Sequence, residues 1–168
     1  MTTRLRILRT LLCDIHADLS RPHVFASERV GFLCCAPATL ADDGLLLLGQ
    51  TWHPVADDDY EDDPRVGASI GPAAFRKILQ AAYGDPVSIF HVHRHEHRGH
   101  PRFSLTDEKS MRKFVPGFFN ACRSHPHGAL VLSHDSAFGA LWRGPETPPQ
   151  KLTAFEVIGT SCEKWGAS

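Results

Sequence analysis

The sequence predicts a mixed α/β fold, with one β-sheet flanked by helices. Helix-like and strand-like stretches alternate along the chain, without an internal repeat and with only the proline-rich PETPPQ, residues 145–150, as a short connector. The 168 residues match the size of one compact domain that buries its own core, so we expect a single domain over 1–168. Hydrophobic residues make up 42% and charged residues 22% of the chain, ordinary values for a globular protein.

The first elements predicted are a helix and a hairpin. Apolar residues within 3–19 recur with a period close to 3.6, which predicts an amphipathic helix. RVGFLCCA, residues 29–36, is an apolar run typical of a buried strand, and GLLLLGQTWHPV, residues 44–55, follows the DDG turn as its partner strand. Residues 56–65, with six acidic side chains in ten, are expected to form a solvated loop, or else a contact for a basic partner.

The second half alternates between helices and strands. PAAFRKILQAAYG, residues 72–84, begins with proline and ends with glycine, as helices do, and leads to the apolar strand PVSIFHVH, residues 86–93. The segment 104–124 is helical at its start, with a break or kink near Pro116 and Gly117. GALVLSHD and SAFGALWRG are predicted to pair through a tight turn that contains His134 and Asp135, and KLTAFEVIG is predicted to be the last strand.

Charge and cysteine content exclude several classes of protein. The formal net charge of −1 gives no reason to expect a nucleic acid or an anionic membrane as partner. The five cysteines form no CxxC pair, and their odd number favours reduced thiols in a cytoplasm. Adjacent Cys34 and Cys35 are expected to pack on opposite faces of a strand. No apolar run approaches the roughly 18 residues of a membrane span, and the N-terminus does not resemble a signal peptide.

Two histidines at the end of the strand 86–93 and an aspartate after it predict a metal site. His91 and His93 are two apart on a strand, so they point to the same face and can bind one ion together. Asp107, in SLTD, is the nearest third ligand. SLTD also fits a capping box, in which Ser104 caps a helix and Asp107 bonds back to the amide of the cap. The run of five histidines in 91–100 is equally compatible with an exposed, adventitious metal binder.

The combination of HxH, SxxD and an upstream glutamate resembles the JAMM motif of the JAB/MPN metalloprotease family. That glutamate is Glu28 in SERVGFLCC, where Gly31 completes the E-x-x-G context found before an aliphatic strand in the family. The order of elements, a helix, a hairpin, a strand entering HxH and a helix after SxxD, is also similar. The resemblance implies a JAB/MPN-like fold with the layering of cytidine deaminases.

This sequence departs from the family pattern in two places. The family usually has a proline after HxH and a shorter loop before the serine, whereas here Arg94 follows and ten residues, 94–103, intervene. HRH or HEH is therefore an alternative ligand pair. We prefer His91 and His93 as ligands, because the apolar run SIF leads directly into them. Solvent exposure in the loop is expected for the three remaining histidines of the run, His95, His97 and His100.

The resemblance implies one zinc ion per chain, with His91, His93 and Asp107 as ligands. Zinc would lower the pKa of its bound water to roughly 7 and so make hydroxide available. Glu28 would carry the proton from the water to the departing amine, as a general acid-base. Ser104 would donate a hydrogen bond to the developing oxyanion.

The same resemblance implies cleavage of a peptide or isopeptide bond after the C-terminus of a ubiquitin-like protein, whose tail binds in extended form. A single-domain chain of this length looks most like the prokaryotic JAB proteins. Two other functions stay open: a histidine-rich metal-binding protein, which has no need of Glu28, and a catalytically silent MPN scaffold. A zinc deaminase is disfavoured, because the PCxxC ligands of that class are absent.

Overall fold

A computed structural model describes residues 2–165 and shows a mixed α/β fold. The predicted domain bounds, 1–168, include Met1 and residues 166–168, which lie outside the described residues. The helices are α1 (Arg9–Leu19), α2 (Pro72–Tyr83) and α3 (Leu105–Phe118). The strands are β1 (Thr3–Leu8), β2 (Val30–Thr39), β3 (Leu45–Pro54), β4 (Tyr60–Glu61), β5 (Ser69–Ile70), β6 (Ser88–Arg94), β7 (His127–Leu132), β8 (Ala137–Trp142), β9 (Gln150–Lys151), β10 (Ala154–Ile158) and β11 (Cys162–Trp165).

Nine strands form one curled sheet in the order β11-β10-β1-β3-β2-β6-β7-β8-β9, and β4 and β5 form a separate small hairpin. Only Leu152 and Thr153 separate β9, at one edge, from β10, which lies beside the other edge. The N–H of Leu152 donates to the carbonyl of Gly139 at 3.0 Å, and that of Thr153 to the carbonyl of Thr3 at 2.8 Å. Two residues span at most about 7 Å. The sheet therefore curls until its two ends lie side by side.

Two apolar clusters fill the two faces of the sheet. Helix α1 covers one face with Leu12, Ile15 and Leu19, while α2 and α3 pack on the other. Cys34 lies in the α2–α3 cluster and Cys35 in the α1 cluster, which confirms that they occupy opposite faces. Along residues 2–165, no helix has the length and apolar character needed to cross a membrane.

The predicted helix over 3–19 is correct only in its second half. Residues Thr3–Leu8 form strand β1, in which Thr3, Leu5 and Ile7 are buried and the two arginines between them are partly exposed. The apolar positions of this segment fit a period of two as well as one of 3.6. Pairing decides between them, because β1 lies in the interior of the sheet with β3 on one side and β10 on the other.

Most of the other elements agree with the sequence. The hairpin, the helix after Pro72, the strand entering HxH and the pair β7–β8 are confirmed. Helix α3 continues through Pro116 instead of breaking there. KLTAFEVIG is not one strand, because Lys151 ends β9 and only Ala154–Ile158 form β10, and β11 was not predicted.

The acidic segment 56–65 is more ordered than a solvated loop. Asp57–Asp59 form a 3₁₀ turn that leads into β4. Asp57 accepts from the buried Arg29 at 2.8 Å, and Asp59, itself buried, accepts from Lys77 at 2.6 Å. Asp57 and Asp59 are thus paired with basic residues of the same chain.

Candidate functional site

Antiparallel pairing of β2 with β6 determines where the site forms. Val30, the first residue of β2, lies opposite His93, near the end of β6. Glu28 precedes β2 by two residues, so it arrives beside the histidines that end β6. A cavity of about 440 Å³ opens here. All five site residues predicted from the sequence line it: Glu28, His91, His93, Ser104 and Asp107.

The start of α3 supplies the carboxylate of the site. Ser104 is the N-cap residue, and its hydroxyl accepts from the N–H of Asp107 at 3.1 Å. In return, Oδ2 of Asp107 accepts from the N–H of Ser104 at 2.7 Å. The predicted capping box is therefore confirmed. It is also compatible with metal binding, because it fixes the Asp107 carboxylate within reach of His93.

His93, His95 and Asp107 form a group that could hold a metal ion. Their ligand atoms all lie within 4.8 Å of one another, and Nε2 of His93 is 3.6 Å from Oδ2 of Asp107. His93 is 4% exposed, and within residues 2–165 its buried Nε2 has no hydrogen-bond partner. A buried polar atom without a partner is costly. This nitrogen is therefore available to bind a ligand, such as a metal ion.

His91 precedes His93 by two residues and lies on the same face of β6. Its ring centroid is 6.2 Å from that of His93, and it packs against the rings of Phe114 at 4.8 Å and Phe32 at 5.7 Å. Burial, with a smaller contribution from His93, lowers the pKa of His91 to about 3. His91 is therefore a neutral imidazole against an aromatic wall. The group that could hold the metal contains His95 where the sequence favoured His91.

The pKa shifts of His95 and Asp107 suit a metal ion, which requires neutral imidazoles and ionised carboxylates. Burial is the main cause of a lowered pKa at His95, opposed in part by the negative charges of Glu28 and Asp107. Partial burial acts to raise the pKa of Asp107. The nearby His93 imidazole and the hydrogen bonds of Ser104 outweigh that effect and hold the pKa well below its ordinary value.

Glu28 is held at the cavity wall by the loop between β4 and β5. Its N–H donates to the carbonyl of Gly67 at 2.9 Å. A Cβ placed on Gly67 would lie 2.7 Å from both Cδ and Oε2 of Glu28, closer than such atoms approach. The absence of a side chain at position 67 therefore makes room for the Glu28 carboxylate. Sequence reasoning identified the glutamate and did not identify this glycine.

Alternation along the strand separates Arg94 from the site. Arg94 points to the opposite face, where its Nη1 donates to Oγ of Ser20 at 2.8 Å and its Nη2 pairs with Glu96. Arg94 does not line the cavity. His97 and His100 are exposed, as predicted, whereas His95 is half-buried.

The cysteines contribute no nucleophile to this site. Burial raises the pKa of the Cys34 thiol to about 11, and burial likewise raises that of Cys35. His134 and Asp135 lie in the turn between β7 and β8, as predicted.

Comparison with known proteins adds little to this geometry. No protein-family model matches the chain, and no curated protein matches it. Among solved structures, it is similar to the STIL N-terminal domain of Trichoplax adhaerens, with 9% sequence identity and a TM-score of 0.38 over 79% of this chain. The chain spans 39% of the length of that structure. A likeness of this size carries no functional argument.

Proposed function

We propose that this chain is a zinc-dependent hydrolase of the JAMM type. One observation carries the proposal: His93, His95 and Asp107 converge in a cavity that Glu28 also lines, around a buried nitrogen that has no hydrogen-bond partner among residues 2–165. Imidazole and carboxylate are the ligand types of catalytic zinc sites, which use three protein ligands and keep one position open. The JAB/MPN-like layering expected from the sequence belongs to the same proposal.

The three ligands come from a strand, a helix and the loop that follows the strand. His93 is on β6, Asp107 is in the first turn of α3, and His95 directly follows β6. When bound, zinc supplies Lewis acidity and lowers the pKa of water to about 7. The protein contributes the ligand geometry and the burial that lowers the pKa of His95.

Glu28 is the general acid-base in this proposal. Its half-buried carboxylate lines the cavity, close enough to the metal group for its charge to act on the pKa of His95. A carboxylate there accepts a proton from the attacking water and returns it to the departing amine, a role worth on the order of 10²- to 10⁴-fold in rate.

Ser104 stabilises the developing oxyanion in this proposal. Its hydroxyl oxygen accepts the cap bond from the N–H of Asp107. A hydroxyl carries one donor besides its acceptor lone pairs. The Ser104 proton is therefore left to donate to an oxyanion in the cavity, in addition to its structural role.

The substrate proposed is the extended C-terminal tail of a ubiquitin-like protein, attached through a peptide or isopeptide bond. The cavity supports this by its mixed lining, which combines the polar group with apolar side chains. The apolar residues that line the cavity include Val66, Ala68, Ile70, Phe75, Phe103, Met111 and Phe114. An extended chain can bind such a cleft through its main chain, with pockets for alternate side chains. A cytoplasmic location is part of the proposal, supported by the five unpaired cysteines.

The experiment is cleavage of ubiquitin-like proteins fused through their C-terminal glycine to a reporter. The purified chain is assayed as isolated, after removal of zinc by a chelator, and after zinc is restored. We expect cleavage to disappear with the metal and to return at about one zinc per chain. Binding of several weak ions with no cleavage would instead support the histidine-rich metal-binding protein.

A further inference from the structure

We propose that the turn between β7 and β8, residues 133–136, positions His95 for the metal, with Asp135 as the principal positioning residue. The inference rests on the proposed function, because it takes His95 to be a ligand. His95 is the one member of the metal group that is not part of a helix or strand. A loop ligand loses conformational freedom when it binds, so something must order it beforehand for binding to be tight.

The histidine loop, residues 95–100, is joined to this turn at successive points. The N–H of His95 donates to the carbonyl of Leu132 at 2.8 Å, which extends the pairing of β6 with β7 by one residue. The N–H of His134 donates to the carbonyl of His97 at 3.0 Å. The main chain on both sides of Glu96 is thereby fixed to β7 and the turn.

The strongest contacts are made at Gly99. Its N–H donates to Oδ1 of Asp135 at 2.7 Å, and its carbonyl accepts from the hydroxyl of the buried Ser133 at 2.7 Å. Gly99 has a φ of 88°, a backbone conformation that residues other than glycine rarely adopt. The loop thus turns back at Gly99 because both backbone groups of this residue are held by the turn.

Asp135 contributes the charged member of this contact. The Gly99 N–H is the main cause of a lowered pKa at Asp135, so the carboxylate is ionised when it accepts this bond. Hydrogen bonds to a charged group are shorter and stronger than neutral ones. Asp135 does not line the cavity. Its effect on the metal must therefore pass through the loop and His95.

The test is a double-mutant cycle read out by zinc affinity and by the electronic spectrum of the cobalt-substituted protein. Loss of a group that orients a metal ligand typically weakens metal binding about 10- to 100-fold. We expect this loss for Asp135→Ala, with a cobalt spectrum that changes toward that of His95→Ala. Asp135→Asn retains an oxygen acceptor for Gly99 and should restore the affinity to within about threefold of wild type. Asp14→Ala, an exposed aspartate on α1, is the matched control.

The cycle distinguishes positioning from general stabilisation. If Asp135 acts through His95, Asp135→Ala should cause no further loss in a His95→Ala background. An equal loss in both backgrounds, or unchanged affinity and spectrum in Asp135→Ala, would overturn the inference. Thermal unfolding checks that Asp135→Ala folds. If it does not fold, the zinc affinity of Asp135→Asn is the test, and a loss greater than about threefold would overturn the inference. Tight zinc binding that survives both His93→Ala and Asp107→Ala would refute the proposed site itself.

Discussion

Nε2 of His93 and Oδ2 of Asp107 lie 3.6 Å apart although their residues belong to different elements, the end of β6 and the first turn of α3. The separation is too long for a hydrogen bond. Asp107 Oδ2 is instead bonded to the N–H of Ser104, while the histidine nitrogen has no partner among residues 2–165. The two atoms are therefore held close together without satisfying each other, as expected for two ligands of one ion.

The choice between His91 and His95 can be decided by metal content. We expect His93→Ala, Asp107→Ala and His95→Ala to lose tightly bound zinc after dialysis, because each removes one of three ligands. His91→Ala should retain most of it, since His91 packs against Phe114 outside the group. Zinc per chain is measured by elemental analysis, with the exposed His97→Ala as control. Loss of zinc in His91→Ala and retention in His95→Ala would restore the ligand set favoured by the sequence.

Gly67→Ala tests the position of the Glu28 carboxylate. The added Cβ would lie 2.7 Å from Cδ and Oε2 of Glu28 and must displace them. A misplacement of about 1 Å can reduce catalytic rates by about 10²-fold. We expect a loss of this order in turnover with zinc content unchanged.

Gly84→Ala is the matched control for this substitution, because a Cβ at that position meets nothing within 4 Å. Its turnover should equal that of wild type. Unchanged turnover in Gly67→Ala as well would mean that the Glu28 carboxylate does not act from its observed position.

The stability of the fold should fall in mildly acidic solution because of His127. This residue is fully buried, and its Nδ1 accepts from the N–H of Ile89 while Nε2 donates to the carbonyl of Cys122. Burial is the main cause of lowering its pKa from 6.5 to about 4. The unfolded chain therefore binds more protons than the folded chain in this range. The stabilisation is present above pH 6.5 and is lost as the pH falls toward 4.

The size of this effect is up to about 3 kcal/mol of unfolding free energy, from the linkage between pKa and stability. Denaturant unfolding of wild type and His127→Gln between pH 7 and pH 4 measures it. We expect a smaller dependence on pH in the variant, whatever its absolute stability. Parallel pH profiles would show that His127 is not responsible.

The sequence was sufficient for the parts of the site that depend on local signals. The apolar run before His91, the cap at Ser104 and the strand after Glu28 are each encoded by a few neighbouring residues. Their meeting in one cavity was expected only through the resemblance to the JAMM motif, and the pairing of β2 with β6 shows how it arises.

His95 could not be selected in the same way, because the histidines at 91, 93 and 95 share one period of two. The choice among them depends on where α3 begins relative to the strand end and on the turn 133–136 that holds the loop. Both are contacts between residues distant in sequence. The signal that favours His95 is its spacing from Ser104. Eight residues, 96–103, separate His95 from Ser104, whereas ten separate His93 from Ser104, and the JAMM pattern usually has a shorter loop before the serine.

Strand β1 was missed for a related reason. TRLRIL carries a pattern compatible with helix or strand, and a true helix follows it without a break. Only the flanking strands β3 and β10 decide its conformation, and β10 comes from the other end of the chain. The division of KLTAFEVIG between β9 and β10 likewise follows from the curl of the sheet.

The most direct test of the account is the turnover of Glu28→Gln at zinc occupancy equal to that of wild type, with a ubiquitin-like protein fused through its C-terminal glycine as substrate. Glu108→Gln, an exposed glutamate on α3, is the control. We predict unchanged zinc content and folding, with a rate lower by about 10²- to 10⁴-fold, because the variant lacks its general acid-base. A rate equal to that of wild type would contradict the account, since Glu28 is what separates a hydrolase from a protein that only binds metal.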